Sequence, residues 1–283
     1  MSNHPITIYT PESSLKRPNK MLGDMLRDVL NSRELSMRLA LRDIKAQYRQ
    51  AFLGFLWAIL LPLANTLVWV FISGSGLVKV SETAIPYAVY VFTGTMFWAI
   101  FMDAVNAPLQ QVGAAKPMLA KLNFPREALI VSGIYQTLFN ASIKVVLMLL
   151  VLPFLGVGLG WNLLLIPISL ISLVLVGTSL GLILTPIGAL YSDVGKALPL
   201  LMQFLMYLTP VVYPIPKEGM AATLFALNPI APIILTARDW LTGMPADHLS
   251  AYVSMNLIAI FILILALLIF RLAMPILIER IGG

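Results

Sequence analysis

The 283-residue chain contains no cysteine, so disulfide and thiolate chemistry are excluded. Its histidines are His4 and His248, one in the N-terminal tail and one in a loop, which makes a histidine-based metal site improbable. Charge is scarce: 11% of residues are Asp, Glu, Lys or Arg against about 25% in soluble domains, while 59% are hydrophobic. Such a chain cannot cover itself with polar groups in water, and it reads as an all-α polytopic membrane protein. The P-loop pattern is missing too: Gly195-Lys196 is followed by Ala197, and Leu190 stands where its first glycine belongs. Nucleotide binding by that route is excluded. The first 49 residues carry no apolar run, so no cleavable leader is expected.

What is present begins with an abrupt switch at residue 50. Residues 1–31 form a polar N-terminal tail, expected on the cytoplasmic side, with a short helix near Met21–Leu30. Residues 32–50 then read as a basic amphipathic helix with Ser32 as N-cap. Met37, Leu41, Ile44 and Tyr48 share one face, and Arg38, Arg42, Lys45 and Arg49 form a stripe beside it. This pattern suits a helix lying in the membrane interface with its cations near lipid headgroups. From Gln50 to Val78 there are 29 residues without a charge, long enough to cross a bilayer at 1.5 Å per residue.

Charge-free stretches place six crossings at about 52–74, 85–106, 127–152, 163–187, 197–213 and 250–270. Val145 to Ser192 is too long for one crossing, and Pro153–Trp161, with glycines at 156, 158 and 160, supplies the turn. Residues 214–249 are apolar but broken by prolines at 214, 216, 229 and 232. Irregular backbone at membrane depth survives only against protein or a wet cavity. The segment therefore reads as short re-entrant helices on the outer, periplasmic face. Six crossings put both termini in the cytoplasm. Lys and Arg then number fifteen inside (nine in residues 1–50, three between 116 and 126, one at 196, two at 271 and 280). Only Lys79, Lys217 and Arg238 fall outside, a strong positive-inside bias.

Two ionisable residues fall within spans. Asp103 sits near the cytoplasmic end of the second, whereas Lys144 lies past the middle of the third, so a direct pair is not expected. Lys144 either lines a polar conduit or snorkels outward. Gly177-Thr-Ser-Leu-Gly181 has the spacing for close helix contact, within the chain or between copies. The aromatic residues Trp57, Trp69, Phe97, Trp98, Phe101, Tyr207 and Tyr213 serve interface belts or packing by default, and a minority could line a passage. The loop from Ala107 to Glu127 has prolines at 108, 117 and 125. It is expected to hold a short, proline-bounded helix over Met118–Asn123, a rigid connector between two spans.

Five stretches taken in order, RDIKAQYRQAFLGFLWAILLP (42–62), KLNFPREAL (121–129), YSDVGKALPLLMQ (191–203), TPVVYPIP (209–216) and NPIAPIILTARDWL (228–241), resemble the membrane subunits of ABC-2 type ATP-driven transporters. The branch is the one exporting polysaccharides such as O-antigen, capsule and teichoic acid. The resemblance covers residues 32–283, with one departure at Ser192, where the family often has arginine. It implies an ABC-2 transmembrane domain over 51–283, six spans per subunit, a homodimer, and two separate P-loop ATPase subunits that hold ATP and magnesium, with no cofactor in this chain. Met118–Pro125 would then be the coupling helix, with Lys116, Met118, Leu119, Lys121, Leu122, Phe124 and Arg126 as its ATPase contacts. The helix at 32–50 would flank it, and segments near 214–225 and 228–241 would close the outer mouth. The chain would be a multi-pass inner-membrane transport subunit, not an enzyme, moving a lipid-linked glycan whose pyrophosphate the arginines of 32–50 could hold. A drug or small-lipid exporter of the same fold is the nearer alternative. A membrane glycosyl- or acyltransferase is the more distant one, lacking a convergent acid–base set.

Overall fold

The computed structural model describes residues 18–49, 56–76, 83–119, 121–122, 124–158, 160–215 and 218–282. Among these the secondary structure is helical, with no strand. Helix α1 (Pro18–Asn31) runs into α2 (Arg33–Arg49) through a single turn residue. Ser32 does not cap α2. Its hydroxyl donates back to the Val29 carbonyl at 3.0 Å, and its own amide bonds the Asp28 carbonyl at 2.9 Å, so the two helices follow each other almost without a break. The expected interface helix is thus present as a helix. Its packing face, however, is Ser36, Leu39 and Ala40, all buried, while Met37 and Leu41 point outward. The Tyr48 side chain lies outside the described residues.

Among the described residues four helical stretches are long and apolar enough to cross a membrane. They are α4 (Tyr87–Leu119), α5 (Glu127–Val151) with the 3-10 turn Leu152–Leu155, a second 3-10 turn (Trp161–Leu165) with α6 (Ile166–Leu190), and α10 (Leu249–Gly282). Of the other two expected crossings, the first is represented by α3 (Trp57–Gly74), with residues 51–55 outside the described set. The fifth is shifted toward the N-terminus: α7 (Ser192–Tyr207) starts before 197, ends at 207, and the chain turns over 208–213. The proline-broken segment after α7 carries two short helices, α8 (Met220–Ala226) and α9 (Ala231–Thr242).

Helix α4 is the axis of the molecule. It packs most extensively against α6, then α5, then α3 and α9. The closest approach is at Gly177 and Gly181. A Cβ on Gly177 would come 2.8 Å from the Phe101 carbonyl oxygen, and one on Gly181 would strike the Val105 carbonyl. The small-residue spacing therefore seats α6 on α4 within one chain, a backbone contact that no larger residue permits. Phe92, Met96, Phe97, Ile100 and Phe101 fill the main core, and a second cluster joins Leu39, Val112, Ala115 and Leu119 to Leu129 and Phe270.

Among the described residues of 118–123 no separate connector helix is found: Met118 and Leu119 belong to α4 and Lys121 and Leu122 are non-helical, while 120 and 123 lie outside the described residues. Helix α4 continues through Pro108 and Pro117 to Leu119. An interior proline removes one backbone hydrogen bond and costs roughly 3 kcal/mol in an isolated helix. Here burial of Val112, Ala115 and Leu119 in the second cluster offsets that cost. Exposed Gly113, four residues before Pro117, leaves its unpaired carbonyl beside solvent.

Candidate functional site

Continuation of α4 moves Asp103 from the expected end of a span to the midpoint of a 33-residue helix. It lies about 24 Å from either end at 1.5 Å per residue. Lys144 comes level with it on α5, and the two form an ion pair with Nζ–Oδ2 at 2.5 Å. The pairing corrects the expectation that they stand apart. The error lay in ending the second span at 106.

Asp103 of this pair lines a half-open cleft of about 650 Å³ between α2, α4 and α5. From α4 the lining includes Asp103, Asn106 and Gln110; from α5, Gln136, Thr137 and Asn140; from α2, Asp43 and Gln47. Gln111 fastens the three helices by donating to Gln136 Oε1 at 2.8 Å and Asp43 Oδ2 at 3.2 Å. Gln136 in turn reaches Gln47 at 3.5 Å. Sequence reasoning did not find this cleft. The signal was present as period: 103, 106 and 110 repeat at helical spacing inside an apolar stretch, as do 136, 140 and 144 and, on α2, 43 and 47.

The basic stripe of α2 is exposed. Arg38 pairs with Glu34 at 2.6 Å and Arg42 with Asp43 at 2.7 Å, so two of the four cations already hold a carboxylate of their own helix. Lys45 and Arg49 face outward. At the foot of α4, Lys116 and Met118 are half-buried and Leu119 is buried. The chain then turns, with the Lys121 and Leu122 amides bonding the Met118 carbonyl at 3.1 and 2.9 Å. Lys121 and Leu122 are exposed, while Phe124 and Arg126 are half-buried.

The aromatic candidates divide. Phe97, Trp98 and Phe101 are interior, with Trp98 and Phe101 rings 5.2 Å apart. Trp57 and Tyr207 are exposed on α3 and α7, and Trp69 is half-buried. Tyr213 is half-buried, donates to the Tyr207 carbonyl and meets the Phe225 ring edge-on.

At the other end of α4 stands a residue that charge counting places on the outer side, within the short helices of 214–249. Arg238 of α9 is 2% exposed. Its guanidinium lies over the Tyr90 ring at 3.6 Å and donates through Nη2 to the Pro210 and Val211 carbonyls, each at 3.0 Å. The Nε group reaches Thr93 at 3.4 Å. Tyr90 donates to Pro210 at 3.1 Å and Tyr87 to the Val212 carbonyl at 3.0 Å. Asn228 closes the arrangement by donating to the Leu208 carbonyl and Thr209 Oγ1, each at 2.8 Å. The turn after α7 and helix α9 are thereby clamped onto the first half of α4, where Gly94 leaves room for the Val211 carbonyl and the guanidinium.

Comparison with known proteins adds an independent line. A family profile described as "ABC-2 type transporter" matches residues 35–241. The O-antigen export system permease protein RfbA of Myxococcus xanthus is 28% identical over 214 residues, 74% of this chain and 81% of that protein. The polysialic acid transport protein KpsM of Escherichia coli is 27% identical over 242 residues, 80% of this chain and 87% of the relative. An O-antigen export permease of Klebsiella pneumoniae is 26% identical over 204 residues, 70% and 76% respectively.

Proposed function

The chain belongs to the ABC-2 type transporter family, and from that premise we propose that it is the membrane-spanning permease subunit of an ATP-driven exporter. It would carry a lipid-linked polysaccharide from the cytoplasmic to the outer side of the bacterial inner membrane. The observation that carries this reading is the extent of the match. It runs from α2 through the clamped outer segment, and relatives covered over most of their length are named for O-antigen and polysialic acid transport.

In the proposed arrangement α3 and α7 add two crossings to the four long spans, both termini lie in the cytoplasm, and α8 and α9 dip into the outer face. Two copies meet along the exposed apolar faces of α3 and α7, with Trp57 and Tyr207 toward the passage. The coupling element is the foot of α4 together with residues 121–126, which presents Lys121 and Leu122 to a separate P-loop ATPase holding ATP and magnesium. Motion there reaches the outer end through α4 itself. The exposed Lys45 and Arg49, with Arg38 and Arg42, attract the phosphates of the lipid carrier or of anionic lipid, at about 1 kcal/mol per cation. Neutralising Arg42 and Arg49 separates the two. Continued export in a membrane where the protein still inserts rules out carrier recognition.

The deciding experiment is co-purification with the candidate ATPase, followed by ATP hydrolysis of the wild type and of K121E/L122P. A complex with two copies of each chain, whose activity loses its response to the permease in the variant, supports the proposal. A permease that purifies alone overturns it.

A further inference from the structure

We propose that the cleft between α2, α4 and α5 is a binding site for a neutral polyhydroxyl group, the sugar nearest the lipid of a glycolipid. The identification of that group as a sugar rests on the polysaccharide-export reading. Asp103 is at the middle of α4, and Asn106 and Gln110 follow on the same face over about 10 Å. An ionisable residue within an apolar span marks a pathway by default, and polar side chains gathered between packed helices of such a chain suit a wet or ligand-filled space.

The chemistry of the walls selects the ligand. Both carboxylates already face a cation: Asp43 accepts from Arg42 and Gln111, and Asp103 from Lys144. A bare cation therefore gains little by entering. A phosphate would meet two carboxylates, with the one nearby ammonium already paired. The remaining lining is mostly amide, on Gln47, Asn106, Gln110 and Gln136. Each amide offers donors and an acceptor in one group. A hydroxyl also donates and accepts, so a ring bearing several hydroxyls is the complement of a wall built of amides. The volume of about 650 Å³ falls within the range of small-molecule sites and leaves room for more than one sugar ring. The phosphates of a carrier would then lie outside the cleft, toward the exposed Lys45 and Arg49 of the same helix.

The test uses the full chain, purified in a non-glycosidic detergent and placed in lipid nanodiscs. The probe is a dodecyl maltoside carrying a photoreactive diazirine on its sugar. Crosslinks are expected within residues 103–110 and 136–140, competed by unlabelled dodecyl maltoside but not by dodecylphosphocholine. Labelling should fall about tenfold in N106L/Q110L, the loss expected for two ligand hydrogen bonds, and stay unchanged in L138A, outside the lining. Should the double variant fail to fold, Q47L tests the same wall from exposed α2, with a smaller loss. Labelling elsewhere, labelling indifferent to these variants, or equal competition by the phosphocholine overturns the proposal. The outcome is separable from the export reading. If the ATPase complex forms and labelling fails, only this site is lost. If labelling maps to the cleft and no ATPase binds, the cleft stands as a glycoside site and the exporter reading falls.

Discussion

The two halves of α4 bury charge in opposite ways. Beside the N-terminal half a single cation, Arg238, is enclosed by backbone carbonyls and an aromatic face. From the midpoint toward the C-terminal end Asp103, Lys144, Asp43 and a group of amides bond chiefly to one another's side chains. Carbonyls of a tight turn cannot rotate away without unmaking the turn, so the arrangement around Arg238 is fixed. Side-chain amides change partners at little cost and stay wet. One end of the helix is built to hold a shape and the other to exchange partners.

The sharpest way to break this contrast is at Arg238. R238M strands the Val211 carbonyl, uncovers Tyr90 and leaves a void, and should destabilise the protein by about 2–4 kcal/mol, read as a lower melting temperature in detergent. R238K should be nearly as harmful, because one ammonium cannot stack and serve two carbonyls at once. A variant more stable than wild type would mean that the cost of burying the charge exceeds what the clamp returns. The next largest effect is expected for G94A, whose methyl group would strike the Val211 carbonyl and the guanidinium. Overpacking of this kind costs about 1–3 kcal/mol, and combined with R238M the loss should be less than additive.

At the midpoint, K144M and D103N should each cost about 1–2 kcal/mol, discounted because Asp103 is 36% exposed. The double variant should recover part of that loss, and a thermal double-mutant cycle that came out additive would show the pair to be uncoupled. Smallest of all, Q111L should cost about 1 kcal/mol and chiefly loosen α2 from α5, seen as faster amide exchange over residues 36–47 with the turn after α7 unchanged.

How far the sequence revealed these features follows from what holds each one. Helix type, the glycine turn before α6 and the break at Asn228-Pro229 are local chemistry, and they were legible. The length of α4 was not. Pro108 and Pro117 signal a loop locally, and only packing of Val112, Ala115 and Leu119 against distant residues overrules them. The misplaced Asp103 followed from that, and with it the missed pair and cleft. Arg238 was illegible for a different reason: its main partners are carbonyls, which every residue possesses, and an aromatic ring on α4, far away in the chain. On α2 Met37 and Leu41 of the expected interface face are exposed and Ile44 is half-buried. The helix packs instead through Ser36, Leu39 and Ala40, whose small or short side chains let it lie close.

One further consequence concerns mechanics. The tightest contact along α4, where the glycines at 177 and 181 receive Phe101 and Val105, falls at its waist. A helix gripped at its waist would rock about that point like a seesaw. A tilt of about 5° about that fulcrum carries each end, about 24 Å away, by about 2 Å in opposite directions. Inward motion of the foot at Leu119 is thereby outward motion of the head at Tyr87, with the turn clamped by Arg238 riding on it.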